Sequence, residues 1–105
     1  MQNVITEPDY ANKVDLKPYT SADNYYEVTQ KGFLWVATGY LAYGVPLSIN
    51  DASGTASLIP TRDNTLYYTS ALANQSDICT LPVSIGMKLY VTGGNAGYVW
   101  FIPYK

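Results

Sequence analysis

The chain has no histidine. That absence removes Ser-His-Asp and Cys-His catalysis and the usual zinc sites together. Cysteine occurs once, at Cys79, so no intramolecular disulfide can form. Small secreted domains often lean on disulfides, and this sequence fits assembly in a reducing cytosol instead. Charge is scarce too. Asp, Glu, Lys and Arg make up 13% of the 105 residues, against about 25% in an ordinary soluble protein. The six Lys and Arg stand singly, and the net charge is −2. No basic stripe is available to neutralise phosphates, which argues against nucleic acid as a partner and against a polybasic membrane patch. No run approaches the roughly 20 apolar residues that cross a bilayer, so membrane insertion is not expected. Met1–Asp9 has neither a positive cluster nor an apolar run, so it does not read as a signal peptide. Helical spacing is missing as well: no segment sustains an apolar repeat of three and four residues.

What remains is a chain rich in strand formers. Hydrophobic residues make up 48% of it, and 11 residues are tyrosine. Tyrosine joins an apolar ring to a hydroxyl, which suits half-wet surfaces and interfaces. The length fits one domain. Short runs of Val, Ile, Thr, Tyr and Trp, broken by Gly, Asn, Asp and Pro, predict strands over 14–19, 25–29, 33–43, 46–50, 55–59, 66–72, 77–82, 88–92 and 97–103. Arg62-Asp63-Asn64 reads as a tight turn, Asn50–Gly54 as a polar loop, and Gly93–Ala96 as a hairpin turn between two strong strands. Many short strands at close spacing define an all-β fold. The expected architecture is an antiparallel β-sandwich, jelly-roll-like. Residues 1–13 lack strand pattern and read as an N-terminal arm or linker, leaving 14–105 as the sandwich domain.

Two predicted strands are apolar on both faces. Phe33, Trp35 and Ala37 alternate with Leu34 and Val36; Tyr98, Trp100 and Ile102 alternate with Val99 and Phe101. A sandwich this small has one core, so one face of each strand needs a separate cover. A loop, the N-terminal arm or another copy of the chain could supply it. We expect an oligomer interface through Trp35, Tyr98 and Trp100.

No catalytic constellation emerges, and the chain reads as a non-enzyme without cofactor or metal. Cys79 sits in a strand-like run with no basic neighbour and reads as an inert, buried thiol. The eight carboxylates are scattered, mostly beside turn residues. Asn50-Asp51 and Asp63-Asn64 lack the alternating acids of a calcium loop. Gly93-Gly94-Asn95-Ala96-Gly97 lacks the Lys and Ser or Thr of a phosphate loop. Recognition chemistry is left. Asn50, Asp51, Asp63, Asn64 and Asn95 fall at predicted loop tips, where they could hydrogen-bond a hydroxyl-rich ligand. Tyr40, Tyr43, Tyr67, Tyr68 and Trp100 could stack on sugar rings or pack at an interface.

Read in order, Pro8-Asp9-Tyr10, Pro18-Tyr19-Thr20, Gly32-Phe33-Leu34-Trp35-Val36, Leu47-Ser48-Ile49-Asn50, Leu81-Pro82-Val83 with Gly86, and the closing Gly97-Tyr98-Val99-Trp100-Phe101-Ile102-Pro103-Tyr104-Lys105 form a pattern. It resembles the C-terminal knob domains of tailed-phage fibre proteins. Those are similar in outline to the trimeric jelly rolls of the tumour necrosis factor and C1q type. Ile85-Gly86-Met87-Lys88 stands where such knobs often carry Lys-Gly-Asp. The resemblance implies a homotrimer made in the host bacterial cytoplasm and displayed on the virion surface. Its partners would be other virion proteins and a host-cell surface glycan or protein. Two alternatives are a capsid decoration or head-fibre protein docking through residues 1–13, and a carbohydrate-binding module of a bacterial protein.

Overall fold

Among the described residues, most runs of alternating β-branched and aromatic residues are extended. The computed structural model describes residues 7–37, 46–54, 59, 62–70, 78–93 and 97–105. Within them run β1 (Val14–Asp15), β2 (Tyr26–Glu27), β3 (Gly32–Ala37), β4 (Pro46–Asp51), β5 (Thr65–Ser70), β6 (Ile78–Val83), β7 (Lys88–Gly93) and β8 (Tyr98–Pro103). A single 3-10 turn spans Tyr10–Asn12. The strands form two antiparallel four-stranded sheets, ordered β1-β8-β3-β6 and β2-β7-β4-β5. Consecutive strands alternate between sheets except β4 and β5. That connectivity is an eight-stranded jelly roll.

One local expectation is corrected by this topology. β7 and β8 lie in different sheets, so the segment between them is a crossover and not a hairpin turn. The Gly-rich stretch is locally compatible with either. Pairing is decided by β8, whose apolar residues are satisfied only between β1 and β3. The strand predicted over 14–19 is also cut short, to Val14–Asp15. Beyond it Leu16 N–H still donates to Val99 O at 2.9 Å, while Tyr19 O accepts from Val91 N–H at 2.8 Å. The chain therefore passes from one sheet to the other within four residues, across Pro18, which cannot donate to a ladder. Of the strand predicted over 55–59 only Ile59 is described, in an isolated bridge to Arg62; the rest lies outside the described residues.

The core lies between the sheets. Leu34 and Val36 of β3 and Val99 and Phe101 of β8 face Leu47 and Ile49 of β4 and Leu89 and Val91 of β7, with Leu16 and Val28 closing the side. Each buried side chain of this size contributes about 1.5–3 kcal/mol. Tyr26 packs against the same cluster, and burial pushes its hydroxyl above the ordinary tyrosine value, with the Tyr19 hydroxyl adding to the rise. Residues 7–13 run beside the end of β8. Asp9 N–H donates to Pro103 O at 2.7 Å and Lys105 N–H to Glu7 O at 2.8 Å. Gly32 is required where β3 meets β8: a Cβ there would lie 2.5 Å from Ile102 O and 2.6 Å from the Phe101 ring.

Candidate functional site

Strand geometry sends alternate side chains to opposite faces. With Leu34, Val36, Val99 and Phe101 in the core, Phe33, Trp35, Tyr98 and Trp100 must point outward. Trp35 and Trp100 are direct cross-strand partners. Their rings stack at 5.1 Å between centroids and 19° between planes. Tyr98 leans on Trp100 at 5.8 Å, and Phe33 on Tyr104 at 5.7 Å. Lys13 Nζ lies 5.1 Å from the Trp100 centroid and Lys17 Nζ 5.4 Å from that of Tyr98, both within cation–π range. Ile102 shares this face yet is only 2% exposed, because the 3-10 turn lies against β8. Tyr98 and Ile78, at one end of the face, are 50% and 63% exposed.

The outward face of the second sheet is polar by contrast. Ser48, Tyr68, Lys88, Tyr90 and Thr92 occupy it. Ser48 Oγ–H and Thr65 Oγ1–H both donate to Asn50 Oδ1 at 3.0 Å. The Arg62 guanidinium covers the Tyr68 ring at 3.6 Å. Tyr67 packs toward the core. Tyr40 and Tyr43 lie outside the described residues.

The aromatic residues expected at an interface, Trp35, Tyr98 and Trp100, thus come together on one face. Of the polar residues expected at loop tips, Asn50, Asp51, Asp63 and Asn64 gather at one end of the sandwich, but not as one exposed site. Asn50 and Asp51 close β4 and are buried, which corrects their placement in a loop. Asp51 is wholly enclosed, and its carboxylate accepts from Lys88 N–H at 2.9 Å, Ser53 N–H at 2.9 Å and Ser53 Oγ–H at 2.6 Å. The sequence Asn-Asp-Ala-Ser-Gly reads as a wet turn because short polar side chains usually serve turns. Here the acid instead satisfies backbone donors inside the fold. Asp51 N–H also donates to Asn64 O at 2.7 Å, drawing Asn64 to the same end. Asn64 takes a left-handed φ of 61° in the predicted turn, and Asp63 beside it is exposed. Asn95 lies outside the described residues.

Sequence reasoning missed the shape of the aromatic face. A depression of about 300 Å³ has Ile102 as its floor and Phe33, Trp35 and Trp100 as walls, with Tyr10, Lys13 and Thr80 at its margins. A second, of about 390 Å³, adjoins it through Phe33 and Thr80 and extends to Pro82 and Tyr104. A third, of about 320 Å³, continues past Gly32 and Tyr104 to Lys31 and Ile85. The alternation at 33, 35, 98 and 100 signals the walls. Nothing in the sequence pattern brings Tyr10, Lys13 and Thr80 to them, since that takes the pairing of β8 with β3 and of β3 with β6.

Fold and face together define a jelly-roll sandwich with one polar and one aromatic outer surface. Neither a family model, nor a curated protein, nor a solved structure matches the chain.

Proposed function

We propose that the chain is a non-enzymatic module of a virion surface, which assembles as a homotrimer and attaches to a glycan or protein of the host cell. The observation that carries this reading is the contrast between the two outer faces. One is polar and internally hydrogen-bonded. The other sets Trp35, Trp100, Tyr98 and Ile78 side by side, with the last two half or more exposed. A contiguous outward aromatic surface on a rigid sandwich is the usual mark of a contact surface. The subunit contact centres on Tyr98 and Ile78, the protruding end of that face. Three copies held together turn weak single contacts into firm attachment on a repetitive cell surface. Light scattering at micromolar concentration tests the assembly. The expected mass is three times the 11.6 kDa of the chain, and a sharp monomer peak overturns it.

A further inference from the structure

We propose that the trough formed by the three adjoining depressions is the groove in which this module takes an acidic polysaccharide chain. The proposal rests on the glycan-attachment reading above and names its site and ligand class. The trough starts between Tyr10 and Lys13, crosses β8 and β3 over Ile102, reaches Thr80 and Pro82 on β6, and leaves past Tyr104 to Lys31. Its place on the face of the sheet excludes one common occupant. A peptide strand that extends a sheet must lie parallel to the edge strand and exchange main-chain hydrogen bonds with it. This trough descends the outer face of the sheet, from the level of Trp35, Thr80 and Trp100 to that of Gly32 and Val83, and does not follow a free edge. Pro82 also removes a backbone donor from the β6 edge.

The lining matches a sugar chain instead. Pyranose rings present apolar C–H faces and hydroxylated rims. Phe33, Trp35 and Trp100 supply apolar surface, and three hydroxyl-bearing residues, Tyr10, Thr80 and Tyr104, share the lining. Charge then selects among sugars. Lys13 stands at one end and Lys31 at the other, and neither is ion-paired among the described residues. Among the described residues, no Asp or Glu lines any of the three depressions. Lys13 Nζ lies 5.1 Å from the Trp100 ring centroid, a contact that favours placing its ammonium at this end of the trough. Two cations at the ends of an aromatic trough whose described lining is otherwise uncharged complement a chain whose sugars carry carboxylates.

Affinity electrophoresis of the full chain against polygalacturonate, hyaluronan and polysialic acid tests this, with fully methyl-esterified polygalacturonate as the neutral control. At least one acidic polymer should retard the protein, and esterification should abolish retardation of a polygalacturonate complex. Lys13→Glu and Lys31→Glu should each weaken binding about tenfold or more, the usual scale for losing a charge-assisted hydrogen bond. Thr80→Phe should block binding by filling the trough, with the melting temperature and light-scattering mass unchanged. Lys88→Glu, on the other sheet, should leave binding intact. Binding to neutral polymers alone overturns the acidic ligand and leaves glycan attachment standing. Binding to no polymer of either kind overturns the proposal and removes the support for glycan attachment. A change of oligomeric mass in Thr80→Phe would mean that a second copy fills the trough, which also overturns the proposal.

Discussion

Asp51 shows how far a residue's role depends on where its strand ends. Its carboxylate takes two backbone N–H groups, of Ser53 and Lys88, in a site closed to water. Asp51→Ala would leave both donors buried without an acceptor, at about 1–3 kcal/mol each. Asp51→Ala should therefore destabilise the fold by roughly 2–4 kcal/mol in urea unfolding. Asp51→Asn, which keeps one acceptor oxygen, should cost less. An unchanged midpoint in Asp51→Ala would show that water replaces the carboxylate. None of this is legible in the sequence. Burial of a polar side chain depends on partners far along the chain, and Lys88 is 37 positions away. Trp35, Tyr98 and Trp100 are legible because strict alternation puts Leu34, Val36 and Val99 on the opposite face, and one core can hold only one of the two sets.

At the scale of the strand, the two faces of β3 should respond unequally to truncation. Leu34 is fully enclosed between the sheets, whereas Trp35 is half-buried against Trp100. Leu34→Ala should cost about 2–5 kcal/mol by opening a cavity. Trp35→Ala, although it removes more atoms, should cost only about 1–2 kcal/mol in the isolated subunit, because water can occupy the space left. Thermal unfolding of the two variants in dilute solution decides the matter, and a larger loss for Trp35 would reverse the inside and outside of the strand. The positions of most strands were legible, since β propensity and turn residues act within a few positions. The β7–β8 connection was not. A hairpin and a crossover between sheets share the same local signals, and the choice between them lies with distant strands.

For the whole molecule, the proposed association through the aromatic face would make stability depend on concentration. If copies meet through Tyr98 and Ile78, dilution shifts the melting temperature by mass action. Scans at increasing protein concentration should show it rising. Tyr98→Glu places a carboxylate in the contact, and it should give a monomer whose melting temperature is independent of concentration. A wild-type protein with no concentration dependence would count against assembly. The jelly-roll class was legible from the number and spacing of strands. The trough was not, because residues 10, 13, 31, 33, 80, 100 and 104 meet only after β6 and β8 have both paired with β3.

β8 sits in the interior of its sheet, between β1 and β3, although it is the last strand in the order of the chain. Until it is inserted, β1 has no partner in its sheet and β3 has one edge open. The folding nucleus must then join segments separated by most of the sequence, so the barrier is set by loop closure more than by local propensity. Domains of this kind fold in about milliseconds to seconds. While a ribosome is still making the chain, Trp35 and the unpaired edge of β3 have nothing to lie against. The nascent chain is exposed to aggregation during that interval, and the stacking of Trp100 on Trp35 forms only after β8 has been made.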